Sequence, residues 1–273
     1  MVVRRLLLLA SLAIPFLWAQ DAAEIVRKSL EHDSANFERL KNYTYQAREE
    51  ERELDKDGKV KSTHVETSEI VRLAGRPYER VISREDKPLP AKDERKEQEK
   101  LDKEAAKRER DTPADRAKLE KERAEQRRYV AEVPKAFDLK ITGVENVSGK
   151  PAWAIQAEPR RGYKPPDLPH ANLLTKVRAK IWIDQAEYQW VKADIEVVEP
   201  ISFGLGLLRI GPGGRIAIEQ TRVNDEVWLP SKMTAHAEAR LAYLKKMRVE
   251  LDVTYKNYRK FQADSRLVAA EDK

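Results

Sequence analysis

Between Val177 and Asp184 the sequence VRAKIWID keeps a strict period of two. Val177, Ala179, Ile181 and Ile183 are apolar, while Arg178, Lys180, Trp182 and Asp184 are charged or amphipathic. Successive side chains of a strand point to opposite faces, so the segment reads as a β-strand with one apolar side. Asp184-Gln185-Ala186-Glu187 breaks the pattern, and Tyr188, Trp190, Ala193, Ile195 and Val197 resume a strand-type composition. The pair predicts an antiparallel hairpin, with a β-rich run continuing to Phe261.

Upstream, residues 21–41 read as an amphipathic helix packed on a sheet. Asp21 is its cap, Glu24 the reciprocal partner of a capping box, and Val26, Leu30, Phe37 and Leu40 recur near one face. Residues 43–54 and 60–73 read as strands around Asp57-Gly58, which predicts a type I′ turn with positive φ at both central residues. A further strand at 78–83 follows Gly75-Arg76-Pro77. The composition then changes. Residues 92–130 are dominated by Lys, Arg, Asp and Glu, with i,i+4 pairs such as Glu99 with Lys103 and Glu104 with Arg108. Thr112-Pro113-Ala114-Asp115 restarts helix after a break. This insertion reads as a helical hairpin or bent helix, serving as a lid, as a partner-docking arm, or as a solvated elaboration without a specific role.

Strands resume at 137–147 and 152–157, followed by a proline-rich loop over 159–174. After the central hairpin, ISFGLGLLRI at 201–210 is the most apolar stretch past the N-terminus, closed by Gly211-Pro212-Gly213-Gly214. Residues 215–223 alternate, Val227-Trp228-Leu229-Pro230 reads as a short edge-like piece, and 232–243 and 247–258 read as closing strands. The sum is one α+β domain over 20–262, of roughly ten to twelve antiparallel strands with an N-terminal helix and the inserted charged helices.

The N-terminus reads as a leader over 1–19: Arg4 and Arg5, an apolar run over 6–17 too short to span a bilayer, then Ala19. With its removal, Lys plus Arg fall from 53 to 51 against 47 acids, a net +4, and the charges are interspersed. No basic face is set apart for nucleic acid, and no second apolar run reaches membrane-spanning length. The sequence has no cysteine. Lipoprotein acylation, thiolate metal sites, thiol catalysis and disulfides are therefore excluded. A periplasmic or secreted protein is expected, with a tail at 263–273.

Several phrases resemble one family. A helix running into Tyr43-Thr44-Tyr45-Gln46, Lys180-Ile181-Trp182-Ile183-Asp184 with the strand after it, Val227-Trp228-Leu229-Pro230 and the final Tyr255–Phe261 strand resemble the outer-membrane lipoprotein-sorting-like proteins, the LolA, LolB and RseB fold. The resemblance covers most of 21–262 except the charged insertion. It implies a strongly curved antiparallel half-barrel with helices over its concave side and a cavity for acyl chains.

Catalytic and metal motifs are lacking. His32, His64, His170 and His236 have no zinc-site spacing, there is no nucleophile elbow, and no glycine run has phosphate-loop or cofactor spacing. A non-enzymatic protein without cofactor or metal is expected. Trp153, Trp182, Trp190, Phe203, Leu205, Leu207, Leu208 and Trp228 are the candidates for lining an apolar cavity or its mouth, or they are simply core. Two functions follow as expectations: non-catalytic binding of a lipid or lipoprotein acyl chain, as carrier, sensor or chaperone, or docking of an envelope protein partner through the arm at 92–130.

Overall fold

A computed structural model describes residues 21–203, 207–241 and 245–260. The expected leader, the tail and Leu205 lie outside these residues. The helix α1 (Ala22–Leu40) begins where the Asp21 carboxylate accepts the Ala23 N–H at 3.0 Å. Glu24 does not return to the cap, because Arg27 holds its carboxylate at 2.6 Å. Four strands follow: β1 (Tyr43–Leu54), β2 (Val60–Leu73), β3 (Arg76–Arg84) and the short β4 (Lys87–Pro88). Then come α2 (Ala91–Glu109) and α3 (Pro113–Ala136), and the strands β5 (Phe137–Val147) and β6 (Lys150–Pro159). A 3-10 turn (Ala171–Thr175) leads to β7 (Val177–Asp184), β8 (Trp190–Val197), β9 (Ile201–Phe203) and β10 (Leu208–Ile210). The chain closes with β11 (Arg215–Val223), β12 (Val227–Leu241) and β13 (Lys245–Lys260).

All thirteen strands join one antiparallel sheet, in the order β4-β3-β2-β1-β13-β12-β11-β8-β7-β6-β5, with the β9–β10 hairpin attached to β12. The α+β class with a large open sheet is the one expected. The first long strand and the last lie side by side in its middle, Glu51 opposite Leu251. The insertion therefore joins the two outermost strands: it leaves β4 at one edge and enters β5 at the other. α2 lies on β2 and β3, whereas α3 lies on β5, α1 and the 3-10 turn. The charged segment is a strap laid along the sheet, and α3 continues to Ala136, past the expected end at 130. The Thr112–Asp115 capping box that restarts it is present, with Thr112 Oγ1 accepting the Asp115 N–H at 3.2 Å.

Two local expectations fail for physical reasons. The Asp57-Gly58 loop is not type I′: only Gly58 has positive φ, at 81°. The Asp55 carboxylate instead accepts the N–H groups of Asp57 and Lys59, which organises a longer loop. Val227–Pro230 is no edge piece but the start of β12, an interior strand between β11 and β13. A register shift opposite Glu219 and Gln220 accommodates Pro230 in that strand.

The core is divided. α1 buries Ala22, Ile25 and Val26 on Ile155 and Ile183, and α3 with the 3-10 turn covers Phe137, Ala157 and Leu174. Buried polar contacts fix α1 to the sheet. Asn36, 7% exposed, donates its Nδ2 to the Trp228 carbonyl and accepts the Trp228 N–H, both at 2.7 Å. Replacing Asn36 with Ala would strand two buried backbone groups, each costing about 1–3 kcal/mol. The expected result is a loss of about 2–4 kcal/mol in urea unfolding with an unchanged m-value. A loss under about 0.5 kcal/mol would show that this contact does not anchor α1.

Candidate functional site

The alternation seen at Val177–Asp184 extends across the sheet and sorts its two faces. Cross-strand register places Ala179, Ile195, Ile216, Ala235 and Leu251 in one row, on the face that carries α1 and α3. The adjacent row on the opposite face is Arg178, Glu196, Arg215, His236, Glu250 and Arg52. Opposite signs meet at Arg178–Glu196–Arg215 and at Glu250–Arg52, the arrangement that stabilises directly opposed side chains, while Arg215 stands opposite His236. Glu196 lies 3.0 Å from both Arg178 and Arg215, and Glu250 lies 3.7 Å from His236 and 3.5 Å from Arg52. Arg52 also contacts Asp252.

This ladder lines a hollow of about 820 Å³. The same hollow touches Arg52 of β1 and Thr142 of β5, seven strand steps apart. A flat sheet would separate them by about 33 Å, so the strands between them curl toward the charged face. Four Lys or Arg residues and five Asp or Glu residues line the hollow, together with His236. The pairs are solvent-reached, and each contributes little to stability on its own. What the surface offers is a dense two-sign pattern with donors and acceptors at fixed strand spacing. Among the described residues no group of three or more His, Asp or Glu is placed to hold a metal ion.

At one end of the charged face, Trp182 is buried with Ala152, Ala154, Val191 and Trp228. Its Nε1 donates to Glu145 at 2.7 Å, and the ammonium groups of Lys180 and Lys192 stand 4.7 and 5.4 Å from its ring. The hydrogen bond from Lys180, then that from Trp182, holds the Glu145 carboxyl below its usual range.

The seven described apolar candidates do not converge. Trp153 and Trp190 pack under α1, where Trp190 Nε1 donates to Asp33 at 2.7 Å. Trp182 and Trp228 share the second cluster, with Trp228 Nε1 donating to Glu187 at 2.9 Å. Phe203 is half-buried with its ring centroid 6.3 Å from that of His170, Leu208 is half-buried in β10, and Leu207 is 56% exposed. None of the seven described candidates lines the hollow. The ladder residues escape sequence reasoning because alternation shows which residues share a face within a strand, while register decides which strands oppose them.

No protein-family model matches the sequence, and no curated protein matches it. Among solved structures the chain is similar to an outer membrane lipoprotein-sorting protein domain from Vibrio parahaemolyticus, at 10% identity over 89% of this chain and 95% of that one, with a TM-score of 0.37. It is similar also to a LolA superfamily protein from Nitrosomonas europaea, at 10% identity over 88% and 94%, TM-score 0.31. A third is MucB of Pseudomonas aeruginosa in complex with MucA, at 11% identity over 89% and 100%, TM-score 0.25. Overlaps of this size assign no residue a role.

The ladder makes a pH prediction. The hydrogen bond from Arg178, with the charges of Arg178 and Arg215, holds the Glu196 carboxyl below its ordinary value. A depressed folded-state pKa adds stability that is full above the unfolded value, about 4.3, and is lost as pH falls through the folded value. Thermal melts between about pH 5 and pH 2 should show Glu196→Gln with a shallower acid decline than the parent. Parallel acid limbs would show that the pair carries no linkage.

Proposed function

We propose that the chain is an exported, non-catalytic binding protein that holds a charged stretch of a polypeptide partner in the hollow of its sheet. The lining of that hollow supports this reading. An acyl chain laid against it would take water from ionised groups without replacing their partners, which is costly. A polypeptide brings its own charges and amides. It can exchange with the existing ion pairs at little net cost, because exposed pairs contribute little on their own. Opposed charge patterns would then set register and partner choice more than raw affinity.

Binding of a lipid or lipoprotein acyl chain is the second reading, and a different surface favours it. On the helix-bearing face the apolar row is incompletely covered: Ile216 is 42% exposed. An acyl chain would lie there, between the sheet and its helices.

A photo-crosslinking amino acid in place of Ala217, which lines the hollow, separates the two. The expected product in whole cells is a crosslinked polypeptide, lost when Arg215→Glu is added and when salt is raised to about 0.5 M. A protein that carries an extractable acyl species by native mass spectrometry, and yields no crosslinked polypeptide, would overturn the first reading and establish the second.

A further inference from the structure

Like charges meet at the far end of the charged face. Arg209 of β10 is opposite Arg240 of β12, and Arg240 is opposite Lys246 of β13, so three cations stand in one cross-strand row. Like charges placed directly opposite one another destabilise a sheet. One row inward the opposed charges are paired: Arg248 contacts Glu238 at 2.8 Å. Arg209, Arg240 and Lys246 are exposed, and among the described residues none has an acidic partner within ion-pair distance.

We infer that this row is a binding site for an oxyanion of the phosphate class. The three residues line a cavity of about 550 Å³, which also takes in Lys56 from the β1–β2 loop. Arg248 Nη1 donates to the Lys56 carbonyl at 2.7 Å, which ties that loop to the site. Five Lys or Arg residues line the cavity against two acids, Asp55 and Glu238. Both acids are committed elsewhere: the Asp55 carboxylate holds its own loop's N–H groups, and Glu238 holds Arg248. What remains is uncompensated positive charge around a concave space. Two guanidinium groups on neighbouring strands present forked donors about 5 Å apart at the backbone. Tetrahedral oxyanions accept that geometry from two sides, and arginine is suited to them. The site stands apart from the hollow and does not rest on the polypeptide reading.

The phosphate chemistry has two sources, a soluble phosphate or the headgroup of an anionic lipid. Isothermal titration with sodium pyrophosphate tests the first. Co-sedimentation with phosphatidylcholine vesicles, with and without phosphatidylglycerol, tests the second. The expected result is binding in at least one arm, weakened about tenfold or more in the Arg209→Gln/Arg240→Gln double variant. Pyrophosphate alone would mark a soluble ligand, and anionic vesicles alone a headgroup; either supports the site. The double variant should also melt higher than the parent at low ionic strength without ligand, because the repulsion is gone. Should it fail to fold, Lys56→Gln/Lys246→Gln, both exposed residues of the same lining, carries the same test. Binding in neither arm, or binding that these substitutions leave unchanged, would overturn the inference.

Discussion

The contact on which the architecture depends is small: one amide of α1 seated on one peptide unit of β12. Asn36 satisfies both the N–H and the C=O of Trp228, at a point of β12 that precedes its pairing with β13. One turn earlier, Asp33 accepts from Trp190 Nε1 and from Gln189 on the other side of the sheet's centre. Just beyond the helix, Tyr43 is fully buried, and its hydroxyl donates to Glu226 and accepts from Asn224 in the β11–β12 turn. Together these bonds fix where the chain leaves α1 and thus where β1 enters the sheet. β1 stands between the β4-β3-β2 meander and β13, so its placement joins the meander to the rest of the sheet.

How much of this is legible in the sequence depends on the range of the interaction responsible. Period-two alternation is local, and strands at 43–54, 60–73, 137–147 and 177–184 coincide with their expected limits. The helix and the Thr112 restart are equally local, since capping is decided within four residues. Turn chemistry already misleads, because Asp55 rather than Asp57-Gly58 controls the first hairpin. The neighbours of each strand are not local at all. The sequence shows Arg178 and Lys180 turned away from the apolar side, and the adjacency of Arg215 to Glu196 follows only from β11 returning past β9 and β10 to pair with β8. Tryptophan count is the weakest guide: four of them divide between two clusters, each indole N–H that donates doing so to a carboxylate.

The distribution of charge explains the overall composition. With 53 basic and 47 acidic residues the net charge is small, yet the ions are sorted by register. In the hollow Glu196 is held between Arg178 and Arg215; at the β10–β12–β13 end three cations meet without an acid between them. A chain selected only for solubility would gain nothing from that contrast, since scattered surface charge serves equally well. The apolar row on the other face follows the complementary logic. It is covered where α1 and α3 lie and open at Ile216.

The central pairing of β1 with β13 bears on how the molecule is made. Arg52 and Asp252 touch across the sheet, yet 200 residues separate them in the chain. A ribosome delivers β13 some 200 residues after β1, at about 5–20 residues per second. For that interval the early meander keeps one long flank of amide and carbonyl groups without its final neighbour. The sheet cannot grow strand by strand from one border to the other, and its middle is the last part to be completed. Such non-local closure is slow to nucleate and leaves strand flanks open to wrong partners. Newly made chains are therefore exposed at what later becomes the interior of the sheet, and the helices that join its outer borders are synthesised before the strand that closes that seam.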